Sequence, residues 1–180
     1  MAIPSLEYTQ PSTETLSDIA TDVISLLRSA GEIISVAESL TGGIVMGTLT
    51  SVPGASAAFR GGIVSYATPL KQRLLDVDAE LIAREGVIHG DVAAQMAEGA
   101  RKTTTFNDEP TTWGIGTTGV AGPDLQDGKP VGTVFIGSAS PDGCRAWGPF
   151  RFSGTRERIR EATVFEALSR LRDALKTRAC

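Results

Sequence analysis

Histidine is almost missing from this chain: of 180 residues one is histidine, His89, and cysteine occurs twice, at positions 144 and 180. A structural zinc site needs four ligands at paired spacings, and neither cysteine stands in such a spacing, so no metal site is expected. Two cysteines in a chain this long do not make a disulfide framework either. Apolar runs are short of the ~20 residues that a membrane-spanning helix requires. The N-terminus lacks the basic-then-apolar order of a signal peptide, so a cytoplasmic protein with no membrane partner is expected. An excess of basic charge is absent too, since the formal net charge is −4. Nucleic acid is therefore not an expected partner. The C-terminal segment is locally basic, with Arg158, Arg170, Arg172, Lys176 and Arg178 among its cations. Interleaved acids at Glu157, Glu161, Glu166 and Asp173 make it a solvated helix face.

What is present fits one globular domain with a substantial core, 41% hydrophobic and 21% charged. Residues 1–12, with Pro4 and Pro11, read as a loose leader, and residues 13–180 as the domain. Leu16, Ile19, Ala20, Val23, Ile24 and Leu27 follow helical spacing, and Gly31 stops that helix. Ile33 to Val36 predict a strand and residues 43–49 a short apolar helix. Gly62 to Ala67 predict a second strand, followed by a helix with Thr68 as N-cap and Pro69 at its first position. A short helix follows from Asp78 to near Gly86 and a longer one from Asp91 to Lys102, then a strand over 112–117, a glycine-rich loop over 119–129 and a strand over 131–138. Residues 144–152 predict its hairpin partner across Pro141-Asp142-Gly143, and a long helix starts near Thr155. Alternating elements with helices at both ends predict an α/β fold, a three-layer α/β/α sandwich around a mixed, mainly parallel sheet.

Three segments can carry chemistry. In Ser35-Val36-Ala37-Glu38-Ser39-Leu40-Thr41-Gly42-Gly43 a β-type run empties into a hydroxyl-rich turn that opens a helix. Such a turn offers backbone N–H groups at the positive end of a helix dipole, where an anion or a developing oxyanion can sit. A serine or threonine there is equally the ordinary cap of the next helix. Tyr66 at a strand end and Lys71 in the first turn of a helix can converge, although a rim tyrosine and a surface lysine are the commoner explanations. Thr117-Thr118-Gly119-Val120-Ala121-Gly122-Pro123-Asp124 is a further strand end opening into glycines, which also suit plain turns. Ligands of open α/β sheets gather at strand ends, so the three loops can share one pocket.

Four ordered motifs carry a resemblance. They are Ala37-Glu38-Ser39-Leu40-Thr41-Gly42-Gly43, Gly61-Gly62-Ile63-Val64-Ser65-Tyr66 followed by Lys71, Thr118-Gly119-Val120-Ala121-Gly122-Pro123, and Lys129-Pro130-Val131-Gly132-Thr133-Val134. From about residue 15 to the end the chain resembles the CinA C-terminal domain family, the nicotinamide-nucleotide amidohydrolases, in their stand-alone form. The resemblance implies an α/β/α domain that hydrolyses the carboxamide of nicotinamide mononucleotide to nicotinate mononucleotide and ammonia, in pyridine-nucleotide salvage. It implies no cofactor, and relatives that commonly self-associate, hence a homo-oligomer.

Amide hydrolysis benefits from a nucleophile, a proton acceptor and a preorganised oxyanion site. Ser39 is assigned as nucleophile on the strength of the resemblance. His89 lies far from the motifs in sequence, and relatives typically carry serine at its position, so Lys71 is the favoured base, with Tyr66 as proton relay or positioner. A lysine base must be desolvated or placed near positive charge. The N–H groups around Thr41, Gly42 and Gly43 are candidates for the oxyanion hole. Thr118 and Gly119 are candidates for holding ribose or phosphate, and Lys129, Arg156 and Arg160 for phosphate charge, Arg160 having Glu157 and Glu161 as rival partners. The chain departs from the family pattern at His89 and in the loop Asp124-Leu125-Gln126-Asp127-Gly128, which lacks the usual Gly-Gly-Thr character. Two rival readings are a nucleotide-binding regulatory module without turnover, which needs the glycine loops but not a Ser–Lys pair, and a phosphate-ester hydrolase.

Overall fold

The computed structural model describes residues 13–178, so the leader expected over residues 1–12 lies outside the described residues. Helix α1, Leu16–Ala30, starts on a capping box between Thr15 and Asp18 and ends at Gly31 in the left-handed conformation. Its buried stripe, Ile19, Ala20, Val23, Ile24 and Leu27, is the one that the 3.6-residue period predicts. The remaining elements are β1 (Ile34–Glu38), α2 (Ile44–Thr50), β2 (Phe59–Val64), α3 (Thr68–Leu75), α4 (Ala79–Glu85) and α5 (Gly90–Thr103). They are followed by β3 (Trp113–Gly119), β4 (Thr133–Ser140), β5 (Gly143–Arg151) and α6 (Arg156–Arg178).

The sheet order is β2-β1-β3-β4-β5. β1 pairs in parallel with both β2 and β3, whereas β3–β4 and β4–β5 are antiparallel, so only β4 runs against the other strands. The mixed, mainly parallel sheet predicted from the element order is the one observed. Helices α1, α2 and α6 pack together on one face, and α5 lies across β1, β3, β4 and β5 on the other. One large core joins α1 and α6 to the sheet, and a second unites Leu75, Leu81, Val92, Met96 and Ala100 from α3, α4 and α5 with Ala37. Glycines let α5 come close: a Cβ on Gly116 or Gly137 would stand 2.3 or 2.1 Å from the Ala93 carbonyl oxygen. No helix among the described residues is long and apolar enough to cross a membrane.

Two boundaries differ from expectation where it matters. β2 ends at Val64 rather than Ala67, and α3 is capped by Ala67, without a side-chain bond, rather than by Thr68. Ser65 still donates its N–H to the Glu38 carbonyl at 2.9 Å, but beyond it the chain bends and its carbonyls leave the ladder. Those carbonyls hold the catalytic candidate Lys71.

Candidate active site

The carboxyl ends of the three parallel strands coincide, and the chain leaves β1 toward β2 but leaves β3 toward β4. Loops that diverge in this way open a crevice at a topological switch point. Ser39, half-buried, is the first residue past β1.

The serine turn is held from below by the residue before it. The Glu38 side chain is fully buried, and its carboxylate accepts N–H bonds from Gly43 at 2.8 Å, Val45 at 3.2 Å and Met46 at 2.9 Å. An acid at the positive end of α2 satisfies donors that the helix leaves open. The expected use of this helix start is therefore corrected: the Gly43 N–H belongs to Glu38, and the Gly42 N–H closes the turn on the Ser39 carbonyl at 3.1 Å. Gly43 caps α2 with φ at 101°, a conformation that favours glycine. Thr41 is buried, with its hydroxyl sharing a 2.8 Å bond with that of Thr117 on β3. The N–H groups of Leu40 and Thr41 donate to no acceptor among the described residues.

Lys71 comes from the first turn of α3 and is 1% exposed. Its Nζ lies 3.1 Å from Ser39 Oγ, 2.7 Å from the Ser65 carbonyl oxygen and 3.3 Å from that of Tyr66. Burial pushes its pKa down from 10.5 to about 8, while the charge of Asp127 works in the opposite direction. A neutral amine has two N–H bonds and one lone pair. With both carbonyls accepting N–H, the remaining valence is the one that faces the Ser39 hydroxyl.

Tyr66 reaches this centre through its backbone. The residue is 59% exposed, and its hydroxyl accepts from Arg156 Nη2 at 2.9 Å, with no bond to Ser39 or Lys71. Arg156 also donates through Nη1 to the Gly122 carbonyl at 2.7 Å, tying the Tyr66 rim to the loop after β3. Lys129, half-buried in that loop, donates to the Glu85 carbonyl at 3.4 Å. Thr118 is buried and gives its hydroxyl proton to the Val87 carbonyl at 2.7 Å. Gly119 serves packing, because a Cβ there would stand 2.7 Å from the Thr133 carbonyl oxygen. Arg160 is engaged elsewhere than with its helix neighbours: Nε donates to the Leu40 carbonyl at 2.9 Å and Nη2 to the Thr41 carbonyl at 3.0 Å.

Two residues at the crevice make contacts that lie outside the expected site. Asp127 and Gly128 form a tight turn with positive φ at both, closed by Gln126–Lys129 backbone bonds of 3.1 and 2.8 Å. This is the geometry that an Asp-Gly pair favours, and it brings the Asp127 carboxylate to the Val87 N–H at 2.8 Å. The Asp-Gly dipeptide was the available signal. His89 caps α5, its Nδ1 accepting from the Asp91 N–H at 3.2 Å. The group bonded to Ser39 is thus Lys71 and not the single histidine.

Comparison with known proteins places this arrangement. Residues 16–175 match the CinA C-terminal domain. A CinA-like protein of Frankia casuarinae is 50% identical over 153 residues, covering 85% of this chain and 34% of that protein. A CinA-like protein of Parasynechococcus marenigrum is 46% identical over 160 residues, covering 87% of this chain and 37% of its own length. The chain thus spans about a third of the curated relatives that it matches. Among solved structures, the competence/damage inducible protein CihA of Agrobacterium tumefaciens superposes with a TM-score of 0.82 at 30% identity, over 93% of this chain and 99% of that one. The CinA superfamily protein of Enterobacter cloacae gives 0.85 at 25% identity, over 97% and 99%. In sequence and in fold, the chain belongs to the CinA C-terminal domain family.

Proposed function

We propose that this protein is an amidohydrolase that converts the carboxamide of nicotinamide mononucleotide to nicotinate mononucleotide and ammonia, with Ser39 as nucleophile and Lys71 as base. The observation that carries this reading is the 3.1 Å approach of Lys71 Nζ to Ser39 Oγ, with the lysine buried and its pKa lowered to about 8. A lysine in that state is partly neutral near physiological pH and accepts the serine proton as Oγ attacks the carboxamide carbon. The carbonyl π bond opens to an oxyanion. The new ammonium then returns the proton to the amide nitrogen, which leaves as ammonia, and the Ser39 ester remains. Water attacks that ester while Lys71 takes its proton, and collapse releases the carboxylate and restores the serine hydroxyl.

The free N–H groups of Leu40 and Thr41, directly after the nucleophile, are the donors left to meet the oxyanion, in the relation that strand-to-helix nucleophile turns use. Lys129 and Arg156 at the rim supply charge for the phosphate, and the Tyr66 ring offers a face to the ribose and pyridine. The proposal extends to pyridine-nucleotide salvage as the setting, with the protein acting as a cytoplasmic homo-oligomer like the family it resembles.

The test is ammonia release from nicotinamide mononucleotide by the purified protein beside Ser39→Ala. Turnover by the wild type with a drop of roughly 10³-fold or more in the variant is expected, on the scale of removing a nucleophile. Absence of ammonia from the wild type would reject the reaction. Unchanged turnover in Ser39→Ala would reject the nucleophile.

A further inference from the structure

We infer that Arg160 is a positioning residue that fixes the oxyanion-binding face of the serine turn, an assignment that rests on the amidohydrolase reading above. Its guanidinium fork spans two successive carbonyls of the turn, Leu40 through Nε at 2.9 Å and Thr41 through Nη2 at 3.0 Å. The fork arrives from α6, a separate layer of the fold, and is half-buried against the turn.

The consequence follows from peptide geometry. In a trans peptide the C=O and the following N–H point in opposite directions. Gripping the Leu40 carbonyl therefore sets the direction of the Thr41 N–H, one of the two N–H groups in the turn with no acceptor among the described residues. Gripping the Thr41 carbonyl fixes the next plane, whose N–H, on Gly42, returns to the Ser39 carbonyl at 3.1 Å. The Glu38 carboxylate holds the far side through Gly43, Val45 and Met46. Residues 40–42 are thus clamped between an acid below and a guanidinium above, and within this segment the main-chain donors without an acceptor among the described residues are those of Leu40 and Thr41, the two residues that follow Ser39. A donor aimed at a developing charge contributes most when it needs no reorientation during the reaction.

The Nε–Nη2 edge of the guanidinium is thereby committed to the main chain, and on this reading the phosphate charge falls to Lys129 and Arg156. Lysine cannot imitate the clamp, because a single ammonium lacks the rigid paired donors while keeping the charge.

The experiment uses Arg160→Lys and Arg160→Gln on the full chain, with nicotinamide mononucleotide and with the nucleoside that lacks the phosphate. Circular dichroism melting confirms that each variant is folded. Both variants are expected to lose roughly 10- to 100-fold in kcat, on the scale of disturbing one oxyanion donor, with KM within about threefold and the same loss on both substrates. A loss confined to KM for the phosphorylated substrate, with Arg160→Lys nearly normal, would overturn the clamp and return Arg160 to phosphate binding. An unchanged kcat in both variants would overturn it as well. Reaction of Ser39 with a sulfonyl fluoride, followed by intact mass, separates this inference from the reading beneath it. If the wild type labels rapidly and both Arg160 variants label slowly, the clamp stands even where no carboxamide is turned over, and equal labelling rates reject it.

Discussion

The turn from Glu38 to Gly43 and the rim formed by Tyr66, Arg156 and Lys129 lie at the same ends of the parallel strands, yet they are built differently. In the turn, carboxylate, guanidinium, hydroxyl pair and backbone carbonyls engage most polar groups of six consecutive residues, while the Leu40 and Thr41 N–H groups have no acceptor among the described residues. At the rim, Tyr66 and Arg156 are exposed and share one bond, and Lys129 has one long bond to a carbonyl. The turn is held from several elements at once, and a group fixed in that way can meet a transition state without reorganising. The rim has room to adapt its charges to an incoming anion. On the proposed function this contrast divides chemistry and recognition between a rigid floor and a permissive edge, and substitutions on the two sides should then fail in different kinetic parameters.

The largest effect is expected on the floor. Lys71→Met keeps most of the buried stem but removes Nζ, and turnover should fall about 10³-fold. In the wild type, kcat/KM should rise with pH through about 8 and level off above it, because only the neutral amine accepts the serine proton. That ascending limb should vanish from the residual activity of Lys71→Met. Stability carries the same signature with a definite sign. Between the folded value of about 8 and the ordinary 10.5, the unfolded chain holds a proton that the folded chain has lost, so stability should rise with pH across that window. Melting of the two proteins at pH 8 and pH 10 checks this, and a wild-type limb near pH 10 would place the amine outside the buried floor.

The sequence made the floor easier to recognise than its fastening. The β-type apolar runs, the apolar stripe of α1 and the Pro-Asp-Gly turn are local patterns, and the sheet with helices on both faces follows from the order of the elements they mark. That Ser39 and Lys71 lie side by side was expected from the family resemblance of their motifs and from strand ends that meet in one crevice, and the 3.1 Å contact between them agrees with that. The bonds that Glu38 and Arg160 make to the turn were not legible. A glutamate after a strand and an arginine on a charged helix look like solvated residues, and only tertiary packing turns their heads onto the turn. The partner of the Tyr66 hydroxyl, Arg156, was not legible for a related reason. Ending β2 at Val64 instead of Ala67 changes which part of the tyrosine faces Lys71, and strand ends are the least determined feature of a local pattern.

At the rim the expected failure is in KM. Arg156→Ala removes a charge that holds Tyr66 and the Gly122 carbonyl but touches neither Ser39 nor Lys71. KM for the mononucleotide should rise about tenfold with kcat within about threefold, and the nucleoside should be handled as before. Steady-state kinetics on both substrates checks this. A loss in kcat equal to that of the floor variants would erase the division between the two regions.

Tyr66→Phe should have the smallest effect, and it is the sharpest probe of where the boundary runs. The substitution leaves the backbone carbonyl that accepts from Lys71 at 3.3 Å and the ring at the rim, and it removes only the hydroxyl bonded to Arg156 at 2.9 Å. If the tyrosine belongs to the edge, kcat should stay within about threefold and the pH limb near 8 should not move, since an exposed hydrogen bond contributes little. A hydroxyl that relayed protons between Ser39 and Lys71 would behave differently, because its loss would lower kcat by roughly 10² or more and shift the limb. The pH profile of this one variant therefore separates a residue that serves the base through its main chain from one that serves it through its side chain.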